Sequence, residues 1–222
     1  MLRDLNIMRN KRLEKRENMY IPKYFAIQDE EVKYEIIEQN SFAILFSQHN
    51  EESYATHLPL LLNRETLTLH GHFARPNDQW KDSGNQQVLA IFQGPHSYIS
   101  PSWYETNNAV PTWNYVAVHV YGELEIVEDE QELIDSLQKL VYKYEDPKST
   151  YSLNDVDPNY MTGLSKGIVG FKIKINKIEG KAKLSQNHSV ERRKLVVEKL
   201  EKVGSEGSRE IAELMRDEFY NN

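Results

Sequence analysis

The chain has 222 residues and a formal net charge of −7, and 39% of its residues are hydrophobic. This composition supplies enough apolar surface for a packed core and excludes a globally disordered chain. Because the sequence contains no cysteine, disulfide bonds, thiolate metal sites and cysteine nucleophiles are excluded, and we expect a cytoplasmic location. Apolar runs are too short to span a bilayer. The negative charge argues against general nucleic-acid binding.

The first part of the sequence predicts one helix followed by strands. Met19-Tyr20-Ile21-Pro22 is expected to begin the fold, after an N-terminal extension of residues 1–18 that we expect to be disordered. Asp29 is a predicted helix cap, since its carboxylate can accept hydrogen bonds from free backbone N–H groups. Segments that read as half-buried strands follow at Ser41–Ser47, Ser53–Leu62, Thr66–Phe73 and Gln87–Gln93.

The remainder predicts a long loop, two further strands and three helices. Gly94–Val110 contains two prolines and an Asn-Asn pair, and a loop of this length inside a compact domain is often functional. Trp113–Val127 is the longest predicted strand, with a bulge or bend at Gly122, and Gly170–Ile178 alternates as the last strand. Capping residues mark the helix starts at Asp129, Ser189 and Ser208, and the second of these helices is expected to end at Val203.

Hairpin-linked strands dominate this order, and helices do not alternate with strands as they do in parallel sheets. The sequence therefore predicts an α+β protein whose antiparallel sheet is closed or half-closed into a barrel. We expect residues 19–187 to form the barrel domain and residues 188–222 to form a C-terminal helical segment.

His70-Gly71-His72 is the first candidate for binding chemistry. The two histidines lie on the same side of a strand because side chains alternate with a period of two, and His57 could supply a third metal ligand. No carboxylate or further histidine lies at a close spacing, so we expect these histidines to line a ligand pocket rather than a metal site. Arg75 stands at a strand break, where its guanidinium can grip a phosphate.

Aromatic and basic side chains are concentrated in the same part of the sequence. All three tryptophans, Trp80, Trp103 and Trp113, fall within 34 residues. This clustering favours a stacking platform or a subunit interface. After the last strand, Lys181 and Lys183 could neutralise a phosphate, or they could belong to a solvated linker.

The sequence lacks two motifs of nucleotide binding, the phosphate-binding Walker loop and the Gly-x-Gly-x-x-Gly fingerprint. A Gly-x-Ser-x-Gly pattern occurs at residues 163–167, but it precedes the predicted strand Gly170–Ile178, whereas the nucleophile elbow of a hydrolase follows a strand. Many polar and aromatic side chains without a nucleophile and its base suggest that a cofactor supplies the chemistry, or that a ligand is sensed.

Blocks of sequence along nearly the whole fold resemble one family. They are Met19-Tyr20-Ile21-Pro22, Thr56-His57-Leu58-Pro59, Gly71–Asn77, Ile91–His96, Tyr98–Tyr104, Val110–Tyr115, Gly167–Phe171 and Lys183–Asn187. The chain resembles the PaiB-type proteins, which are described as FMN-binding negative transcriptional regulators. The resemblance implies a six-stranded Greek-key split barrel, forming a homodimer with FMN at the subunit interface.

The resemblance also implies where the flavin is bound. The segment His70–Asn77, with Gly71, His72, Arg75 and Asn77, falls where split-barrel oxidases hold the phosphate. His57 and Leu58 fall on the strand that meets the edge of the isoalloxazine ring. Trp113 and Asn114 would come from the other subunit, and Lys183 is a further candidate for the cofactor.

Three functions remain open at this point. The first is a dimeric, FMN-binding negative regulator. The C-terminal helix carries four acidic residues that DNA phosphates would repel, so repression would need a partner protein or the basic strip Lys172–Lys183. The second is a flavin-dependent oxidoreductase acting on a small substrate. The third is an interaction or DNA-binding module that has lost its cofactor.

Overall fold

The computed structural model describes residues 18–106, 108–152, 155–157, 160, 163 and 165–220. They form one seven-stranded sheet with flanking helices. The strands are β1 (Phe42–His49), β2 (Glu52–Pro59), β3 (Leu61–Asn63), β4 (Thr68–Ala74), β5 (Gln87–Ile99), β6 (Thr112–Ile126) and β7 (Ile168–Lys183). The helices are α1 (Glu30–Gln39), α2 (Trp80–Ser83), α3 (Glu130–Tyr144), α4 (Val190–Val203) and α5 (Glu206–Tyr220).

The strand order is β2-β1-β5-β6-β7-β4-β3, and every neighbouring pair is antiparallel. The sheet curls so that β2 approaches β4 without a backbone ladder between them in the described part of the chain. We call this unpaired junction the seam. The predicted α+β split barrel with flanking helices is thus confirmed.

The sheet has one strand more than the six expected. The predicted segment Ser53–Leu62 divides into β2 and β3 because the chain turns at Leu60. The Leu60 N–H donates to the Ser41 carbonyl at 2.8 Å, and its side chain is completely buried. This turn carries the chain from one edge strand of the sheet to the other.

The predicted loop Gly94–Val110 was wrong over its first six residues, because β5 continues to Ile99. The strand passes Gly94 and Pro95 by a register shift between Gln93 and His96, and a bulge tolerates a proline that has no N–H to donate. The predicted irregularity at Gly122 is confirmed by the register shift between Tyr121 and Gly122.

Side-chain caps fix most helix starts as the sequence predicts. The carboxylates of Asp29 and Asp129 and the hydroxyl of Ser189 each accept a backbone N–H of the first turn. The prediction for the last helix was wrong by three residues, since α5 begins at Glu206, directly after Ser205, and not after the predicted cap Ser208. The Ser205 hydroxyl accepts the Ser208 N–H at 3.3 Å, so Ser208 lies inside the helix.

Two apolar clusters hold the fold together. The first fills the barrel and includes Leu45, Phe73, Phe92, Val120 and Phe171. The second joins Ile99, Val116 and Leu184 of the sheet to Leu200 of α4 and Met215 of α5, so the C-terminal helices pack against the barrel. No helix among the described residues combines the length and the apolar composition needed to cross a membrane.

Candidate functional site

The β2 side of the seam carries His57 and Leu58, whose side chains point in opposite directions. His57 is exposed, and its ring centroid lies 6.3 Å from that of Phe42. Leu58 is 5% exposed and belongs to the barrel core. His57 therefore offers its side chain to a ligand, whereas Leu58 can offer only backbone groups.

β4 carries the two histidines of the His-x-His pattern, with His72 at the seam and His70 beside β3, where it pairs with Leu61. His70 and His72 are both half-buried, and burial lowers the pKa of each imidazole below its ordinary value. The Nε2 atom of His70 lies 2.9 Å from the Thr68 hydroxyl. Neutral imidazoles of this kind can donate or accept one hydrogen bond to a ligand. Within the described residues, no group of three or more His, Cys, Asp or Glu side chains could hold a metal ion.

Gly71, between the two histidines, is required by packing. A Cβ atom there would lie 2.8 Å from both Leu60 Cδ2 and Phe171 Cζ. These contacts belong to the barrel core, so the absence of a side chain lets β4 pack closely against its neighbours.

Arg75 ties the end of β4 to the beginning of β7. Its Nε donates to the Lys166 carbonyl at 2.6 Å and its Nη2 donates to the Ile168 carbonyl at 2.6 Å. The guanidinium also lies over the Trp80 ring, 5.9 Å from the centroid, and the Trp80 indole donates to the Arg75 carbonyl at 2.9 Å. Two of the three guanidinium nitrogens are thus engaged by backbone carbonyls.

Asn77 bridges the seam through a buried polar network. Its Nδ2 donates to the Thr56 hydroxyl of β2 at 2.9 Å, and its Oδ1 accepts the Gln79 N–H at 3.0 Å. Sequence reasoning missed Thr56 and Gln79. Gln79 follows Pro76-Asn77-Asp78, a segment typical of an exposed turn. Its complete burial therefore could not be predicted from the sequence.

A second group of predicted residues lies at the beginning of β6 and the end of β7. Trp113 is 52% exposed, and its ring centroid lies 5.9 Å from that of Tyr98 and 6.0 Å from that of His96. Lys183 Nζ donates to the Thr112 hydroxyl, and burial, together with the neighbouring Lys181, lowers its pKa. We call His96, Tyr98 and Trp113 the aromatic platform.

Asn114 does not share this exposure. It is completely buried, and its Nδ2 donates to the Ser185 hydroxyl at 3.0 Å and lies 3.5 Å from Met215 Sδ. Its side chain therefore holds α5 against the sheet, directly behind the exposed Trp113.

The two groups lie far apart within one protomer. His72 pairs with Gly170 of β7, whose carbonyl accepts the Val127 N–H just beyond the end of β6. Trp113 lies 13 residues before Ile126, near the other end of β6. At about 3.3 Å per residue, this separation is roughly 40 Å of strand. One flavin cannot contact both ends of this strand in one protomer.

The outer face of the sheet between these ends carries a patch of apolar and aromatic side chains. Register places His57, Ile44, Ile91 and His119 in one row across four strands, and Ala55, Phe46, Leu89 and Tyr121 in the next. These side chains are partly or fully exposed. Apolar patches that extend across several strands are typical of protein interaction surfaces.

The basic strip Lys172–Lys183 is largely neutralised by acidic side chains. Three of its lysines form ion pairs: Lys172 with Glu132, Lys174 with Glu125, and Lys177 with Glu179. Lys181 is 6% exposed and lies between the Tyr20 and Tyr115 rings. A surface so paired attracts nucleic-acid phosphates weakly.

The histidines of the seam, Lys183 and Trp113 have chemistry that suits a flavin. Imidazoles and an ammonium group can bind a phosphate or the polar edge of the ring, and an exposed indole can stack on its face. A barrel split at a seam, with these groups at its ends, defines a flavin-binding split-barrel protein.

Comparisons with known proteins lead to the same class. A family model described as "Putative FMN-binding domain" matches residues 19–177, so the chain belongs to this family. The "Protease synthase and sporulation protein PAI 2" of Bacillus subtilis is 41% identical over 205 residues, which cover 90% of this chain and 98% of that protein. The PaiB-type resemblance is thereby confirmed. Membership of this family identifies FMN, or a related flavin, as the cofactor.

Solved structures with little sequence identity share the fold. The flavocytochrome Anf3 from Azotobacter vinelandii superposes with a TM-score of 0.60 at 14% identity, covering 75% of this chain and 73% of that one. An FAD and heme binding protein from Mycobacterium smegmatis gives a TM-score of 0.56 at 9% identity, covering 76% and 78%.

Proposed function

We propose that the protein is a cytoplasmic, homodimeric FMN-binding negative transcriptional regulator, with each flavin bound between two protomers. The observation that carries the dimeric site is the separation of the seam from the aromatic platform. His57 and His72 lie by the seam, whereas Trp113 and Lys183 lie at the far end of β6. A second copy can bring its aromatic platform to the seam of the first.

The apolar outer face supports this proposal with a surface suited to a second copy. A two-fold interface uses the same patch on both protomers, and the rows containing Ile44, Phe46, Leu89 and Ile91 provide such a patch. Phe42, which is 67% exposed, extends it toward His57. Burial of this face would bring the imidazoles of both copies close to the interface.

In the proposed site, this chain's residues bind and orient the cofactor. Imidazoles at the seam and the Lys183 ammonium of the other copy provide hydrogen bonds and positive charge, and Trp113 covers an aromatic face. Bound FMN supplies redox chemistry.

The regulatory part of the proposal rests on the family resemblance and on the name of the Bacillus subtilis relative, which places that protein in protease synthesis and sporulation. The paired lysines of the basic strip and the net charge of −7 disfavour direct reading of DNA. We therefore propose that repression acts through a partner protein.

The dimeric flavin site is tested by titrating the protein with FMN and following flavin fluorescence. We expect saturable quenching and a dimer in sedimentation analysis. Trp113→Ala should weaken both the dimer and FMN binding. Tyr142→Ala is the matched control, because Tyr142 is a 91% exposed aromatic residue on α3 and away from both groups.

Three results would contradict parts of this proposal. Unquenched flavin at high protein concentration would refute the cofactor site. Full FMN affinity in a monomeric Trp113→Ala variant would show that one protomer suffices. Rapid turnover of NADH or NADPH by the flavin-loaded protein would favour an oxidoreductase. For the regulatory role, deletion of the gene should raise transcripts that complementation lowers again.

A further inference from the structure

A relay of hydrogen bonds crosses the seam, and it begins at Gln79. The Nε2 of this fully buried residue donates to the Leu45 carbonyl at 3.1 Å and to the Ser47 hydroxyl at 3.0 Å. A carbonyl can only accept, so the amino group of the Gln79 amide must face β1. The Gln79 Oε1 is therefore left to accept a hydrogen bond from the opposite side.

The direction of every later bond follows from this first one. The Thr56 hydroxyl donates its single hydrogen to Gln79 Oε1. Toward Asn77, the same hydroxyl can then only accept, so it takes a hydrogen from Asn77 Nδ2 at 2.9 Å. The Asn77 Oδ1 accepts the Gln79 backbone N–H at 3.0 Å.

The relay fixes the Asn77 amide in one orientation and leaves one of its two N–H donors for another partner. A side-chain amide has two N–H donors, and Thr56 uses one of those on Asn77. Asn77 is half-buried, whereas Gln79 is completely buried. An amide flip would leave polar groups of this network unpaired, which is costly in a buried setting.

We propose that Gln79 and Thr56 are positioning residues that fix Asn77 as a hydrogen-bond donor to FMN, an inference that rests on the proposed function. The ligand atom is an acceptor. Two parts of FMN present such acceptors: the phosphate oxygens and the carbonyl groups of the ring. In this proposal Gln79 acts on the ligand through Thr56 and Asn77.

The test uses a matched pair of substitutions at Thr56. Thr56→Val keeps the shape of the side chain but removes the hydroxyl, which breaks the relay and leaves the contacts of Gln79 with β1 intact. Thr56→Ser keeps the hydroxyl. We expect the dissociation constant for FMN to rise about tenfold in the valine variant, as for loss of one oriented hydrogen bond, and to stay within about twofold in the serine variant.

Riboflavin, which lacks the phosphate, distinguishes the two acceptors. An equal loss for riboflavin and FMN in Thr56→Val assigns the ring carbonyls as the partner of Asn77, and a loss for FMN alone assigns the phosphate. Unchanged FMN affinity in a folded Thr56→Val variant, or an equal loss in Thr56→Ser, would overturn the positioning role. Circular dichroism confirms that each variant is folded.

A separate measurement keeps this proposal distinct from the proposed function. If the wild-type protein binds no flavin, the proposed function fails, and the relay is examined through the side-chain amide signals of Asn77 in ¹⁵N NMR. Protection from hydrogen exchange in the wild type and Thr56→Ser, and its loss in Thr56→Val, would support the relay. Equal protection in all three proteins would overturn it.

Discussion

Substitution of Arg75 tests whether this side chain holds the end of β4 in place or binds a ligand. Its two hydrogen bonds reach the Lys166 and Ile168 carbonyls, 91 and 93 residues away in sequence. Arg75→Ala removes both bonds and the contact with the Trp80 ring. The start of β7 then loses these side-chain contacts, whether or not flavin is bound, and keeps the backbone bond from the Arg75 N–H to the Gly167 carbonyl and the pairing of Ala74 with Ile168.

The expected loss of stability can be worked from these contacts. A net hydrogen bond contributes about 0.5–1.5 kcal/mol, and more when one partner is charged. Because Arg75 is exposed, we take about 0.8 kcal/mol for each of the two bonds and about 0.5 kcal/mol for the cation–π contact. Arg75→Ala should therefore lower the free energy of unfolding by about 2 kcal/mol.

The assay is urea unfolding of the flavin-free protein, with Arg75→Lys as the control. Lysine keeps the positive charge but cannot place two donors in a fork, so it should recover less than half of the loss. If Arg75 served to bind a phosphate instead, Arg75→Lys should keep much of the FMN affinity, since lysine can also bind phosphate. Unchanged unfolding of flavin-free Arg75→Ala, together with weaker FMN binding that lysine restores, would refute the structural role.

Three further substitutions test the packing and the electrostatics of the fold. Gly122→Ala should cost about 2–3 kcal/mol in urea unfolding, because a Cβ would lie 2.3 Å from a backbone oxygen of β7; Gly163→Ala, with no atom within 4 Å, should be nearly neutral. Asn114→Ala should cost about 2 kcal/mol, and wild-type unfolding would contradict its buried role. Burial raises the pKa of the Glu179 carboxyl, but hydrogen bonds from Lys177 and backbone amides outweigh this and hold it below 4.5. Stability from Glu179 should therefore be present above about pH 4.5 and be lost as pH falls through the folded pKa; an equally steep acid loss in Glu179→Gln would refute this.

Local signals predicted most of the fold. Asp29, Asp129 and Ser189 are short polar side chains placed directly before apolar periodic segments, and their capping depends only on neighbouring residues. The irregularity at Gly122 was also readable, because a glycine within a strand often marks a bulge. The same reasoning failed at Gly94-Pro95, where tertiary pairing with β6 continues the strand through residues that locally favour a loop.

The candidate site was only partly predictable, because its geometry depends on distant partners. Alternation along β6 places Trp113 and Asn114 on opposite faces, but it does not say which face is buried. The larger apolar side chain is exposed, and the amide is buried, because Ser185 and Met215 of the C-terminal segment satisfy it. Neither partner adjoins Asn114 in sequence.

The C-terminal helices gain a physical role from this arrangement. α5 is bound to β6 through Asn114, and a Cβ at Gly207 would lie 2.7 Å from the His96 carbonyl oxygen, so the start of this helix packs directly against β5. The helix thus supports the strand ends that carry the aromatic platform. In the proposed dimeric site, rigid support of Trp113 would matter as much as the seam itself, because the two groups would come from different protomers.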